Sequence, residues 1–230
     1  MAIGVIGTNS TNSTSGTATS ITVSHTVPST DGNRMLIVVY WASSAEASSA
    51  TFGAASMTEG STHVGADHSA DYVHFFWLAN PATGTDTVTV NFASNTGNRA
   101  VGAVNLKDAK QTVPLNAQIL TTSYPTNVTS KQSTISPTAN NSLFFTLSDV
   151  GSGASALTQD TGQTEQINFQ RVTGNVWCNL GTESGNTTSY VGGISWTTGA
   201  LIEQHVWGIL EDVAAVVAGG QPMSLLGVGG

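Results

Sequence analysis

The densest group of side chains able to do chemistry lies at residues 63–74, where His63, Asp67, His68, Asp71 and His74 follow one another. Imidazole nitrogens and carboxylate oxygens hold a divalent cation when they converge on one point. His74, however, falls inside the apolar run Tyr72–Leu78, whereas the others fall in the polar stretch Glu59–Asp71. The group therefore reads as a polar loop, with His63, Asp67, His68 and Asp71 as weak metal candidates only. Glycoside hydrolysis would need two carboxylates facing each other across a cleft. Glu46, Glu59, Glu165, Glu183 and Glu203 are available, but no spacing singles out a pair.

Nucleophilic chemistry is no better represented. No G-x-S-x-G elbow is present, and Gly151–Gly153 is not followed by the Gly-Lys-Ser/Thr of a phosphate-binding loop. Cys178 sits beside Trp177 in an apolar run and reads as a packing residue. His25 and His205 stand alone in strand-like segments. Trp41, Trp77, Trp177, Trp196 and Trp207 could build a sugar-stacking platform, but they lie in apolar runs, where core packing explains them better. No catalytic residue, cofactor or enzymatic activity is expected.

The elements that must position these residues are strands. Apolar runs recur about every ten residues with turn signals between them, the spacing of an all-β sandwich or barrel. In the first half the expected strands are Ile21–Val27, Met35–Trp41, Thr51–Thr58, Tyr72–Leu78, Thr85–Phe92 and Ala100–Leu106. Met35–Trp41 is apolar without interruption, as expected of a strand covered on both faces. Thr85–Phe92 alternates: Val88, Val90 and Phe92 on one side, Thr87, Thr89 and Asn91 on the other.

The same grammar returns after residue 113. Thr26, Thr30 and Asn33 are matched by Thr134, Thr138 and Asn141, and Arg34–Ile37 by Ser142–Phe145. Further strands are expected at Leu115–Thr122, Val128–Ile135, Leu143–Leu147, Gln163–Arg171, Asn175–Leu180, Ser189–Trp196 and His205–Glu211. Val90 and Phe92 then answer to Ile194 and Trp196, and Val101 and Val104 to Val206 and Ile209. The expected fold is all-β: a jelly-roll-like antiparallel β-sandwich with a weak internal duplication. Its parts are a flexible arm at 1–16, a first β half at 17–112, a second at 113–212, and an apolar Gly-rich tail at 213–230; the polar stretch 8–20 reads as a mobile arm or an irregular edge strand. The halves either pack as one unit or stand as tandem sandwiches.

Composition narrows the partners. Hydrophobic residues make up 39%, enough for a core, while charged residues are only 9% against about 25% in ordinary domains. The net charge is −8, and the three Lys and three Arg form no cluster, so neither nucleic acid nor an anionic membrane is an expected partner. One cysteine excludes an intramolecular disulfide. The first residues lack the basic and apolar regions of a signal peptide, and no secretion is expected; the Asn-x-Ser/Thr triplets at Asn9, Asn12, Asn127, Asn140 and Asn186 then carry no meaning. The tail is uncharged and apolar. Left in water it would be an aggregation hazard, so it reads as a docking segment, with Val213, Val216, Val217, Pro222, Met223, Leu225 and Leu226 as its partner contacts.

Residues 19–44, 51–58, 75–92 and 100–106, then 162–170 and 205–215, together resemble the β-sandwich structural proteins of tailed phages. The matching motifs are structural, and no functional residue transfers. The resemblance implies a virion protein of the head-decoration (cement) or tail-associated type, commonly a trimer, made in the host cytoplasm and seated on the capsid surface against the major capsid protein or other virion subunits. The expected function is capsid decoration. The alternatives are a glycan-binding module of a virion or tail and, least favoured, a glycan-degrading enzyme.

Overall fold

The computed structural model describes residues 3–30, 32–43, 45–60, 71–95, 97–112, 115–135, 142–151, 157–170, 177–185 and 190–210; within these, the backbone alone is described at 71, 115–128, 133, 135, 142, 184–185, 190 and 198–210. Fifteen strands account for most of them. The first nine are β1 (Gly4–Thr14), β2 (Ser20–Val27), β3 (Met35–Ser43), β4 (Ala47–Phe52), β5 (Ala55–Ser56), β6 (Thr58–Glu59), β7 (Asp71–Ala79), β8 (Gly84–Phe92) and β9 (Arg99–Lys107). The rest are β10 (Leu115–Ile135), β11 (Ser142–Val150), β12 (Thr158–Gln159), β13 (Thr164–Gln170), β14 (Trp177–Gly185) and β15 (Tyr190–Leu210). No helix occurs among the described residues.

All pairings are antiparallel, and they make three sheets packed face to face. The central sheet has the order β1-β9-β3-β7-β6, an outer sheet runs β2-β8-β4-β5, and the third runs β10-β15-β11-β14-β13 with β12 added to β15. Strand β3 shows why its sequence is apolar throughout. Leu36, Val38, Tyr40 and Ala42 pack with Ile21, Ala50, Phe52, Val88, Val90 and Phe92 of the outer sheet. Met35, Ile37, Val39 and Trp41 pack on the opposite side with Leu143, Phe145, Leu147, Ile167, Cys178 and Leu180 of the third sheet. With both faces dry, no position of β3 from Met35 to Ala42 keeps any notable exposure. Each such aliphatic or aromatic side chain contributes about 1.5–3 kcal/mol by leaving water. On β8 the expected alternation holds, with Val88, Val90 and Phe92 buried and Thr87 exposed.

The duplication is visible in the pairing itself. Strand β9 lies between β1 and β3, and β3 between β9 and β7, while β2 pairs with β8 and β8 with β4. In the second half, residues 115–123 of β10 pair with 202–209 of β15, which also pairs with β11, and β11 with β14. Residues 128–135 of β10 pair with 190–200 of β15, and β12 joins that same stretch. Edge strands complete the match: β6 on β7 and β13 on β14.

Several expectations are corrected. Leu115–Thr122 and Val128–Ile135 are one strand, β10, and Thr51–Thr58 is divided among β4, β5 and β6. Ser189–Trp196 and His205–Glu211 are not separate strands; one strand, β15, runs unbroken from Tyr190 to Leu210. The first half breaks between β8 and β9 at a turn where Gly97 takes φ 98, whereas Thr197–Ile202 brings a single glycine among Thr, Ala, Leu and Ile and no such turn. The register of the repeat also moves by two residues. Val104 lies opposite Ile37, but Trp207, not Ile209, lies opposite Phe145. Periodicity alone cannot see a two-residue slip, because it leaves every side chain on its face.

Residues 8–20 read from sequence as an arm or an irregular edge strand; the edge strand β1 covers Gly4–Thr14, with a register shift between Ile6 and Ser10. Gly7 sits in that shift at φ 71, and a Cβ there would stand 3.3 Å from Pro28 Cγ. Bulge and glycine let β1 bend around the end of β2.

Candidate functional site

His63, Asp67 and His68 lie outside the described residues, as do Val213, Val216, Val217, Pro222, Met223, Leu225 and Leu226. Asp71 opens β7, where only its backbone is described. Among the described residues no group of three His, Cys, Asp or Glu side chains is placed to hold a metal.

His74 does gather partners, at one end of the interface between the central and outer sheets. It is buried, and its Nδ1 lies 3.6 Å from Glu59 Oε1. Its ring packs on Phe75 and, at 6.1 Å between centroids, on Tyr40. The Tyr40 hydroxyl accepts the Ala47 N–H at 3.2 Å. Burial pushes the Tyr40 phenol well above its usual range; the Ala47 N–H opposes this, and the charges of Glu46 and Glu59 and neighbouring Tyr72 add to it. Burial, then the Glu59 charge, also raises the Glu46 carboxyl. Carboxylates at 46 and 59 thus feel each other across the mouth of a dry interface. Tyr40 and His74 are both buried. Of the other carboxylates, Glu165 accepts the Asn168 amide at 2.7 Å, and the side chain of Glu203 is not described.

The four described Trp residues do not form an exposed platform. Trp41 and Trp196 are buried, Trp77 packs partly buried against the core between the two halves, and Trp177 packs against Trp196, Val150 and Ile194. Cys178 is buried, with Phe169 opposite.

Two surface features stand out instead. The solvent face of the outer sheet carries only small neutral polar side chains. Its cross-strand rows are Thr26–Thr85, Ser24–Thr87, Thr22–Thr89–Thr51 and Ser20–Asn91–Ser49. Rows lie about 6.8 Å apart and strands about 4.8 Å apart, so hydroxyls cover the face as a two-dimensional array. Some bond within it: Thr26 and Thr85 hydroxyls at 2.7 Å, and the Asn91 amide to Ser49 Oγ at 3.1 Å.

The second feature is a cleft of about 480 Å³ where the halves meet. Gly4 and Val5 of β1 and Leu143 of β11 wall one part; Gly162, Thr164, Gln166, Thr182 and Glu183 wall the rest. Gln166 is held in place from both halves: its Oε1 accepts Asn9 Nδ2 at 3.0 Å, and its Nε2 donates to Thr182 Oγ1 at 2.9 Å. Burial raises the Glu183 carboxyl, and that carboxylate lies against Gly162. Composition and motif left Gln166, Thr164 and Thr182 unremarked. A signal existed in the repeat: Thr182 and Glu183 stand opposite Phe145 and Phe144, where the first half has Trp77 and Leu78 opposite Ile37 and Leu36.

No protein-family model, curated protein or solved structure matches this chain.

Proposed function

We propose that the chain is a non-enzymatic structural protein of a tailed-phage virion, a capsid decoration protein that reinforces the head through contacts with the major capsid protein and with its own copies in a homotrimer. The observation that carries this reading is the hydroxyl-covered face of the outer sheet. An uncharged array of Ser, Thr and Asn can exchange water for a neighbour's backbone and side-chain groups without stripping any ion of its hydration. Each hydrogen bond gained is worth little in net terms, about 0.5–1.5 kcal/mol. Repetition over a symmetric lattice makes the sum large. The low overall charge, 9% of residues, and the tail at 213–230 suit the same task.

The test is assembly. Light scattering on the full chain and on a chain ending at residue 212 should give a trimer for the full chain. Heads stripped of decoration should take up the full chain, and less of the truncated one. Thr22→Lys with Thr87→Lys, two charges on the exposed face, should lower head occupancy while leaving the circular dichroism spectrum unchanged. A clean monomer in both forms, with no uptake on heads, overturns the reading.

A further inference from the structure

We propose that the cleft between β1 and the β13–β14 ribbon is a binding site for an alkylammonium group, that is, an amine at the end of a short aliphatic stem. The inference stands on the cleft and does not rest on the virion reading.

The duplication supplies an internal control. At the position opposite Ile37 the first half carries Trp77, which packs against the core between the two halves. At the equivalent position opposite Phe145 the second half carries Thr182. A threonine leaves unfilled much of the volume an indole would take, and the cleft lies beside it. The neighbouring Glu183 stands where the first half has Leu78, which packs on the other face of its strand, and it too lines the cleft. The exchange of Trp77 for Thr182 costs packing energy and leaves a volume of ligand size.

The lining chooses the ligand. The amide of Gln166 is already satisfied from both ends, by Asn9 and by Thr182. The Glu183 carboxylate forms no hydrogen bond or ion pair among the described residues. Gly162, at φ 98, lets its turn settle on that carboxylate; a Cβ there would stand 3.3 Å from Oε2. An anionic ligand would meet this carboxylate and a chain of net charge −8. A sugar ring would find no aromatic face, since none of the lining residues is aromatic. An ammonium group has three donors, which the carboxylate and the Thr164 hydroxyl can accept, while Val5 and Leu143 offer apolar wall to its methylenes.

The experiment is an amide NMR titration of the full chain with three probes: cadaverine, Nα-acetyl-lysine methylamide, and the norleucine analogue, which keeps the stem and lacks the amine. Expected are saturable shifts at Gly4, Val5, Gly162, Thr164 and Thr182 with both amines and none with norleucine. Glu183→Gln should weaken amine binding by about tenfold or more, the usual loss for a charge-assisted hydrogen bond. Tighter binding of cadaverine assigns the cleft to free diamines; tighter binding of the lysine derivative assigns it to a side chain of a partner protein. Thr182→Trp should fill the cleft as Trp77 does and abolish the shifts. If that variant does not fold, Glu183→Gln decides alone. Equal shifts from norleucine, or undiminished binding by Glu183→Gln, overturn the proposal.

Discussion

The Trp41 indole N–H donates to the Ser148 carbonyl at 2.9 Å, across 107 positions of chain and in a fully buried setting. This bond ties the two repeats where their sheets meet back to back. The indole also meets Phe169 edge to face, with centroids 5.8 Å apart. Trp41→Phe removes the donor and leaves a gap, so it should destabilise the fold by about 1–3 kcal/mol. Urea unfolding checks this. An unchanged midpoint would show that the bond does not couple the halves.

Gly102 makes the close approach between the same sheets possible. A Cβ on it would stand 2.3 Å from Ile167 Cδ1 and 3.1 Å from Val39 Cγ2. Gly102→Ala should therefore cost about 1–3 kcal/mol through overpacking. Pairing it with Ile167→Val, which withdraws the Cδ1 methyl, should recover part of that loss. Additive losses in the double variant would count against a direct clash.

His25 predicts an acid-side loss of stability. Burial lowers its imidazole below the ordinary value of 6.5, with the Asn105 side chain pulling the other way. The folded state thus holds His25 neutral, while the unfolded chain takes up a proton more readily. The stabilisation is present above pH about 6.5 and fades as pH falls through the lowered folded value. His25 Nδ1 lies 2.9 Å from Ser10 Oγ on β1, so amide exchange along β1 should quicken first on acidification. His25→Gln should flatten this dependence; an unaltered profile would exclude His25 as its source.

Glu46 predicts the opposite slope. Burial, then the charge of Glu59, raises its carboxyl above the usual range. The fold favours the protonated acid, so its contribution is full at pH below the unfolded value and is lost as pH rises through the raised one. Glu46→Gln should therefore gain on the native protein as pH rises from about 4 to 7. Thermal melts across that range provide the measurement, and parallel curves for the two proteins would refute it.

Most of the strands were legible because each carries its own pattern: Met35–Trp41 is apolar at every position, and Thr85–Phe92 alternates. The repeat was legible in Arg34–Ile37 and Ser142–Phe145, and the spacing of apolar runs and turns forecast an all-β fold of packed antiparallel sheets. Glu46 and Glu59 were visible as acids but not as neighbours. They come from separate segments, and only the packing of β4 and β6 around Tyr40 and His74 brings their charges within reach. The continuity of β15 was hidden because strand propensity is local, and the missing turn is a property of two halves compared. Thr182 and Glu183 looked like ordinary strand residues. Their meaning emerges only when pairing sets them opposite Phe145 and Phe144, at the positions Trp77 and Leu78 hold in the first half. Apolar periodicity dictates which face a residue takes, because burial acts on each side chain by itself. Which residues meet across sheets, and where a volume stays open, is decided by register and layer stacking, which depend on the whole chain at once.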